Sequence, residues 1–207
     1  MNLMNQKEAL GLLKAHRIPF SKLYLTTDAN GALKIAKKIG FPVVLKIASG
    51  KIIHKSDVGG VIIDIKNELE LKNNYKKIQR TKNIKGVYVQ KMLKGNEVIV
   101  GMERDEIFGP VLMFGTGGIF VELLKDVSFR IAPVNKRDAI DMIKETKGYE
   151  ILKGVRGKKP INITKVSEII YNLSKLSIKN KEIKQIDLNP VIADEKSAVV
   201  VDVRMLV

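Results

Sequence analysis

"KIIHKSDVGGV", residues 51–61, decides how the rest of the chain is read. It contains His54, one of 2 histidines in the protein, followed by Lys55, Ser56 and Asp57 and then the pair Gly59–Gly60. Apolar runs flank it, "FPVVLKIAS" at 41–49 and "VIIDI" at 61–65. Such β-branched runs, bounded by turn residues, read as strands, so His54 falls in a polar loop between two of them. A neutral imidazole is a good nucleophile toward phosphorus, and Asp57 could fix its tautomer. His54 could also act as a general base, or stand exposed with no chemical task. A metal role is not expected, because no second histidine or any cysteine lies near.

Composition narrows the classes. Apolar residues at 45% and charged residues at 29% describe a folded globular chain, not a disordered one. At 207 residues it has room for one large domain or two small ones. No apolar stretch approaches membrane-spanning length. The opening "MNLMNQKEALGLLKAH" has no basic segment followed by an apolar one, so no signal peptide and a cytoplasmic location are expected. Without cysteine there is no disulfide and no thiolate chemistry. The formal charge of +15 leaves nucleic acid open as a partner. The lysines are scattered along helices, however, as in "IAKKIG" and "SKLSIKNKEIK". With aromatics at 5% and no tryptophan, a base-stacking surface would be sparse. A solvated basic surface is therefore the reading, and neither nucleic acid nor membrane is an expected partner.

Helix and strand signals alternate outward from the loop. Asn5 and Glu8 are placed like a capping box before "ALGLLKA". Thr27 or Asp28 opens a helix with apolar residues at Ala32, Ile35, Ala36 and Ile39, which stops at Gly40 before Pro42. Asn67 and Glu70 start a helix through Leu71, Tyr75 and Ile78. Two strand-like runs follow, "GVYVQKML" and "EVIVGMER", joined through Lys94, Gly95 and Asn96. "PVLMF", the glycine cluster "GTGG" and "FRIAPV" come next. Asn135 and Asp138 begin a helix ending at Gly148, and another runs from Thr164 to about Ile178. "IKQIDLNPVIA" and "AVVVDVRML" read as a hairpin through Asp194–Lys196. Helices mixed with hairpin-like strand pairs predict an α+β fold in two lobes, residues 1–92 and 93–207, joined near "KMLKGNE". Clefts between lobes are preferred ligand sites.

Several polar residues stand where chemistry could use them. Alternation puts Lys46 on one strand face with Val44 and Ala48, and Val43, Leu45 and Ile47 on the other. A lysine there either meets an anionic partner or reaches along its stem to water. Gly115, Gly117 and Gly118 in "GTGG" could cradle phosphate oxygens with their amides, or simply make a tight turn. Asp187 and Asn189 share a strand face, with Asp202 on the adjoining run. These hard oxygen donors suit Mg²⁺, although Asn-Pro is also a common turn dipeptide.

Lys46, the histidine loop "IIHKSDVGGV", "QKMLKGNE", "FGTGGIFVELLKDVSFRIAP" and "DLNP", in that order, resemble the ATP-grasp subunit of ADP-forming acyl-CoA synthetases. These enzymes are related to succinyl-CoA synthetase, and the likeness covers essentially the whole chain. It implies an ATP-grasp fold, with nucleotide bound in the cleft between two lobes. It implies the reaction acyl-CoA + ADP + phosphate = acid + CoA + ATP. It also implies a CoA-binding α subunit in an α2β2-type assembly, and Mg²⁺ with ATP or ADP as substrate. By the same resemblance, His54 is the catalytic residue that accepts a phosphoryl group and carries it to ADP. Lys46 holds nucleotide phosphates, Gln90, Lys91, Met92 and Leu93 form the stretch that bonds adenine, and Glu97 bonds the ribose. Gly115, Gly117 and Gly118 line the phosphates, Asn189 and Asp202 bind Mg²⁺, and Asp187 stands in or next to that set. Glu122 and Arg130 line the cleft. A second reading is a non-catalytic ATP-grasp module regulating a CoA-linked protein. A nucleic-acid binder is a third, which steep salt dependence would reveal.

Overall fold

Residues 1–49, 58–82, 84–117, 125–155 and 159–207 are described by a computed structural model of the protein. Along the chain, the described elements are α1 (Gln6–Ala15), β1 (Leu23–Thr26), α2 (Ala29–Ile39), β2 (Val43–Ala48), β3 (Val61–Ile65), α3 (Glu68–Ile78) and β4 (Gly86–Lys91). They continue as β5 (Asn96–Asp105), β6 (Gly109–Thr116), β7 (Val127–Ile131), α4 (Lys136–Lys144), α5 (Tyr149–Leu152), α6 (Ile163–Lys179), β8 (Gln185–Ala193), β9 (Ala198–Val200) and β10 (Val203–Leu206). His54 and Gly118, and with them Glu122, lie outside the described residues.

The helices begin where short polar side chains can accept the first free amides. Asn5, Asp28, Asn67, Asn135 and Asn162 all do so, and Asn135 with Asp138 completes a capping box. The second helix stops at Gly40, whose φ of 80° is the left-handed value that glycine supplies most easily. The helix expected to reach Gly148 ends at Lys144, and Gly148 instead caps the short α5.

The chain divides into two compact units, Ser21–Leu93 and Met1–Phe20 with Lys94–Val207. The expected split at residue 92 thus placed the first twenty residues in the wrong unit. The physical cause is the apolar face of α1: Ala9 and Leu13 are buried in the same core as Val100 and Met205. Leu3 also bridges to Leu206, and Phe20 to Val200.

In the unit Ser21–Leu93, four antiparallel strands lie in the order β1-β4-β2-β3. Ala32 and Ala36 of α2 and Leu71, Tyr75 and Ile78 of α3 pack with Val43, Leu45, Ile47, Val87 and Val89. This is the alternation read from the sequence, with Lys46 on the opposite face. In the other unit the order is β10-β8-β5-β6-β7, with β9 also pairing β8. One face of that sheet, carrying Val98, Val100, Met102, Leu112 and Phe114, shares its core with α1, α4 and α6.

Two strand expectations change. The runs joined by Lys94–Asn96 form no hairpin, since β4 and β5 belong to different sheets. Gly95 makes this crossing possible: a Cβ there would lie 2.5 Å from the Ala193 carbonyl oxygen. The final hairpin forms through Asp194, but its second strand is interrupted at Val201–Asp202. That gap lies opposite the Asn189–Pro190 step, where β5 also shifts register between Val98 and Val100.

Candidate functional site

Lys46 and Gln90 in one sheet, and Glu97, Gly115, Asp187 and Asn189 in the other, alternate with the core-facing residues of their strands, whereas Lys91 lies on the core side. In the four-stranded sheet the face away from the core holds Val44, Lys46, Tyr88 and Gln90, with Lys46 opposite Tyr88 and Val44 opposite Gln90. Lys46 is only 6% exposed within a strand buried along its whole length. An ammonium is retained at such a position when its charge has a use, because desolvating it is costly. Burial also holds the neighbouring Tyr88 hydroxyl above its ordinary pKa.

The four residues expected to bond adenine follow directly. Gln90 is 1% exposed, and its side-chain amide donates to the Ser21 carbonyl at 3.3 Å. The Lys91 ammonium reaches the carbonyls of Gly40 and Phe41 at 2.8 and 3.0 Å, closing the end of α2. The Met92 amide donates to the Pro42 carbonyl. These bonds tie the two side chains to the backbone of neighbouring segments. Glycine Gly59, at φ 65°, and Gly60 lie just beyond the His54 segment, and the Gly60 carbonyl accepts from the Ile47 amide at 2.8 Å.

On the six-stranded sheet, alternation places Glu97, Ile99 and Gly101 of β5 opposite the core-facing Val98, Val100 and Met102. Gly115 is in register with Ile99. The Gly117 amide donates to the Glu97 carbonyl at 2.9 Å, and a Cβ on Gly117 would come within 2.7 Å of that oxygen. No other residue permits this approach, so Gly117 binds the end of β6 against the start of β5. The predicted ribose and phosphate residues are therefore direct neighbours.

The predicted metal residues also meet. The Asn189 amide donates to the Asp202 carbonyl at 3.3 Å across the gap between β9 and β10. Asp187, two residues before Asn189 on the same face, pairs with Arg204 at 3.3 Å. That ion pair engages Asp187 with a cation. Among the described residues no three carboxylate or imidazole side chains gather as a metal site. The donor set nevertheless fits Mg²⁺, which takes one or two protein oxygens and completes its shell with water and substrate phosphate. A recess of about 420 Å³ adjoins Asp187 on this face, lined also by Gly101, Glu103, Val111, Met113 and Phe129. Arg130, expected in the cleft, pairs with Glu145 of the turn after α4.

Sequence reasoning missed one site. Asp126 is 5% exposed and accepts from the Thr116 hydroxyl at 2.6 Å, the Lys147 amide at 2.7 Å and the Gly148 amide at 2.8 Å. Burial alone would raise its pKa, but these three donors outweigh it and hold the carboxyl below the ordinary range. The only signal in the sequence was the charged pair Lys125–Asp126 amid apolar residues in "LLKDVSF".

Comparison with known proteins matches the ATP-grasp domain family over residues 1–207. The chain is 49% identical to the beta subunit of acetate–CoA ligase [ADP-forming] I of Pyrococcus furiosus, across 97% of this chain and 90% of that one. It is 48% identical to the 4-hydroxybutyrate–CoA ligase [ADP-forming] of Nitrosopumilus maritimus, across 92% of this chain but 28% of that longer one. Among solved structures, the acetyl-coenzyme A synthetase 1 of Ca. Korarchaeum cryptofilum superposes with a TM-score of 0.84 at 41% identity, covering 100% of this chain and 93% of its own. That structure is a complex with coenzyme A and Mg-AMPPCP, its phosphohistidine segment pointing towards the nucleotide-binding site.

Proposed function

Since the chain belongs to the ATP-grasp domain family, we propose that it is the nucleotide-binding, catalytic subunit of an ADP-forming acyl-CoA ligase. In the forward sense the enzyme converts acyl-CoA, ADP and phosphate to acid, CoA and ATP. The observation that carries this reading is the distribution of the polar residues. Lys46 is buried in one sheet, and in the other unit Gly117 bonds to Glu97 and Asn189 bonds to Asp202 through the backbone.

His54 is the phosphoryl carrier in this reading. Its imidazole attacks an acyl phosphate formed on the CoA-binding partner: a P–N bond forms, the P–O bond to the acyl oxygen breaks and the carboxylate leaves as the free acid. A terminal oxygen of ADP then displaces the imidazole: the P–N bond breaks, a P–O bond forms and the neutral imidazole is regenerated. Lys46 holds nucleotide phosphate as a compact positive charge. Glu97 accepts from the ribose hydroxyls, and the amides around Gly115 and Gly117 meet phosphate oxygens. Asn189 and Asp202 hold Mg²⁺, which neutralises phosphate charge when bound. Phosphoryl transfer is mostly positioning and charge stabilisation, so a lysine and oxygen ligands on rigid strands are suited to it.

The partner is a separate CoA-binding α subunit, in an α2β2 assembly. The separate partner is supported by the likeness to a relative named as a beta subunit, 90% of which the chain covers. A cytoplasmic location accords with these substrates, and among the described residues no helix is long and apolar enough to cross a membrane. The test is the mass of the chain after incubation with Mg·ATP, with and without the partner. A phosphate adduct that is acid-labile and missing in His54→Ala supports the reading. No adduct with the partner present, while ATP still binds, would favour the non-catalytic module.

A further inference from the structure

The buried carboxylate of Asp126 has no task in the reaction just described. It stands immediately before β7, whereas Thr116 ends β6, and their 2.6 Å hydrogen bond joins the two feet of the segment between them. Its remaining contacts reach the Lys147 and Gly148 amides, at the turn leading into α5. An apolar side chain could fill this space without the cost of desolvating a charge. What a carboxylate adds is direction, since each oxygen fixes the donor that it accepts from.

That direction leads to the nucleotide residues through contacts without slack. Thr116 is in register with Val98, the residue after Glu97. Gly117 follows Thr116 and presses on the Glu97 backbone, with the hydrogen bond at 2.9 Å. From the other side, a Cβ on Gly148 would lie 2.5 Å from the Thr116 hydroxyl oxygen. Any movement at Asp126 therefore displaces Thr116 and, through it, Gly117 relative to Glu97.

We propose that Asp126 is a positioning residue for nucleotide binding: with Thr116 and Gly148, it fixes where the end of β6 presents Gly117 beside Glu97. The inference rests on the reading that Glu97 and these glycines contact the nucleotide. Asp126 does not touch the nucleotide and acts only through the strand end.

Calorimetric titration of the 207-residue chain with Mg·ADP tests it, at a temperature where circular dichroism shows each variant folded. Asp126→Asn replaces one acceptor by a donor that faces amides or the hydroxyl, and Thr116→Val removes the hydroxyl. Each should raise Kd about tenfold, the scale of one charged hydrogen bond. Thr116→Ser, which keeps the hydroxyl, should bind within about twofold of the wild type. The double variant should bind no more weakly than the worse single one, because both changes break the same link. A merely structural role would lower the melting temperature and leave Kd unchanged. Wild-type affinity in folded Asp126→Asn and Thr116→Val overturns the proposal, and Thr116→Val decides alone if Asp126→Asn does not fold. A wild-type chain with no affinity for Mg·ADP would instead overturn the underlying functional reading, and this inference with it.

Discussion

The Asn189 amide donates to the Asp202 carbonyl at 3.3 Å, so two oxygen-bearing side chains start from adjoining points of interrupted strands. Each of Asn189→Ala and Asp202→Ala should raise the Mg²⁺ concentration needed for ADP binding roughly tenfold. Together they should abolish the Mg²⁺ dependence. Titrating ADP at several Mg²⁺ levels measures this, and a double variant that still responds to the metal would place it elsewhere.

Lys46 is held in a strand buried along its whole length. Lys46→Met keeps the volume and removes the charge. Affinity for Mg·ADP should fall about 10- to 100-fold, with the melting temperature close to that of the wild type. An unchanged ADP affinity would remove Lys46 from the phosphate site.

His54→Ala should abolish phosphoryl exchange between ATP and ADP in the complete enzyme while leaving Mg·ADP binding nearly intact. Any retained exchange in that variant ends the relay.

Asp126 should also shape the acid limb of stability. Its folded pKa lies below the ordinary 3.8, so the unfolded chain takes up the proton first as pH falls. The stabilisation is complete above 3.8 and is lost as pH drops through the lowered folded value. Asp126→Asn should thus be less stable than the wild type by about 2–3 kcal/mol near neutrality, with the gap closing in acid. Urea midpoints across that range check this, and a gap independent of pH would contradict it.

Lys91 closes the end of α2 with two hydrogen bonds to backbone carbonyls. Lys91→Ala should cost about 1–2 kcal/mol of stability and leave Mg·ADP affinity within about twofold, since its side chain serves the helix. A tenfold loss of affinity at unchanged stability would make the ammonium a nucleotide contact.

Features set by neighbours in sequence were legible, and features set across the fold were not. Asp28, Asn67 and Asn135 announce helix starts because a cap acts within three residues. Lys46 stood out because strand alternation is local and a charge violates it. The run from Lys91 to Asn96 carries the same turn residues whether its strands pair or part. Only the approach of Gly95 to Ala193 distinguishes the two. Likewise the face of α1 was visible as apolar, but not that Met205 would cover it. For Asp126, the partners Thr116, Lys147 and Gly148 come from different turns of the chain, and no spacing rule anticipates their convergence.

The insertion of Ser21–Leu93 within the other unit sets an order for assembly during synthesis. The inserted unit has all its strands once Leu93 has been made, so its sheet can close without the residues that follow. Helix α1, made before that unit, completes its core only with strands made after it, among them β5 with Val100 and β10 with Met205. Residues that precede the inserted unit are therefore buried later than the unit that follows them in sequence.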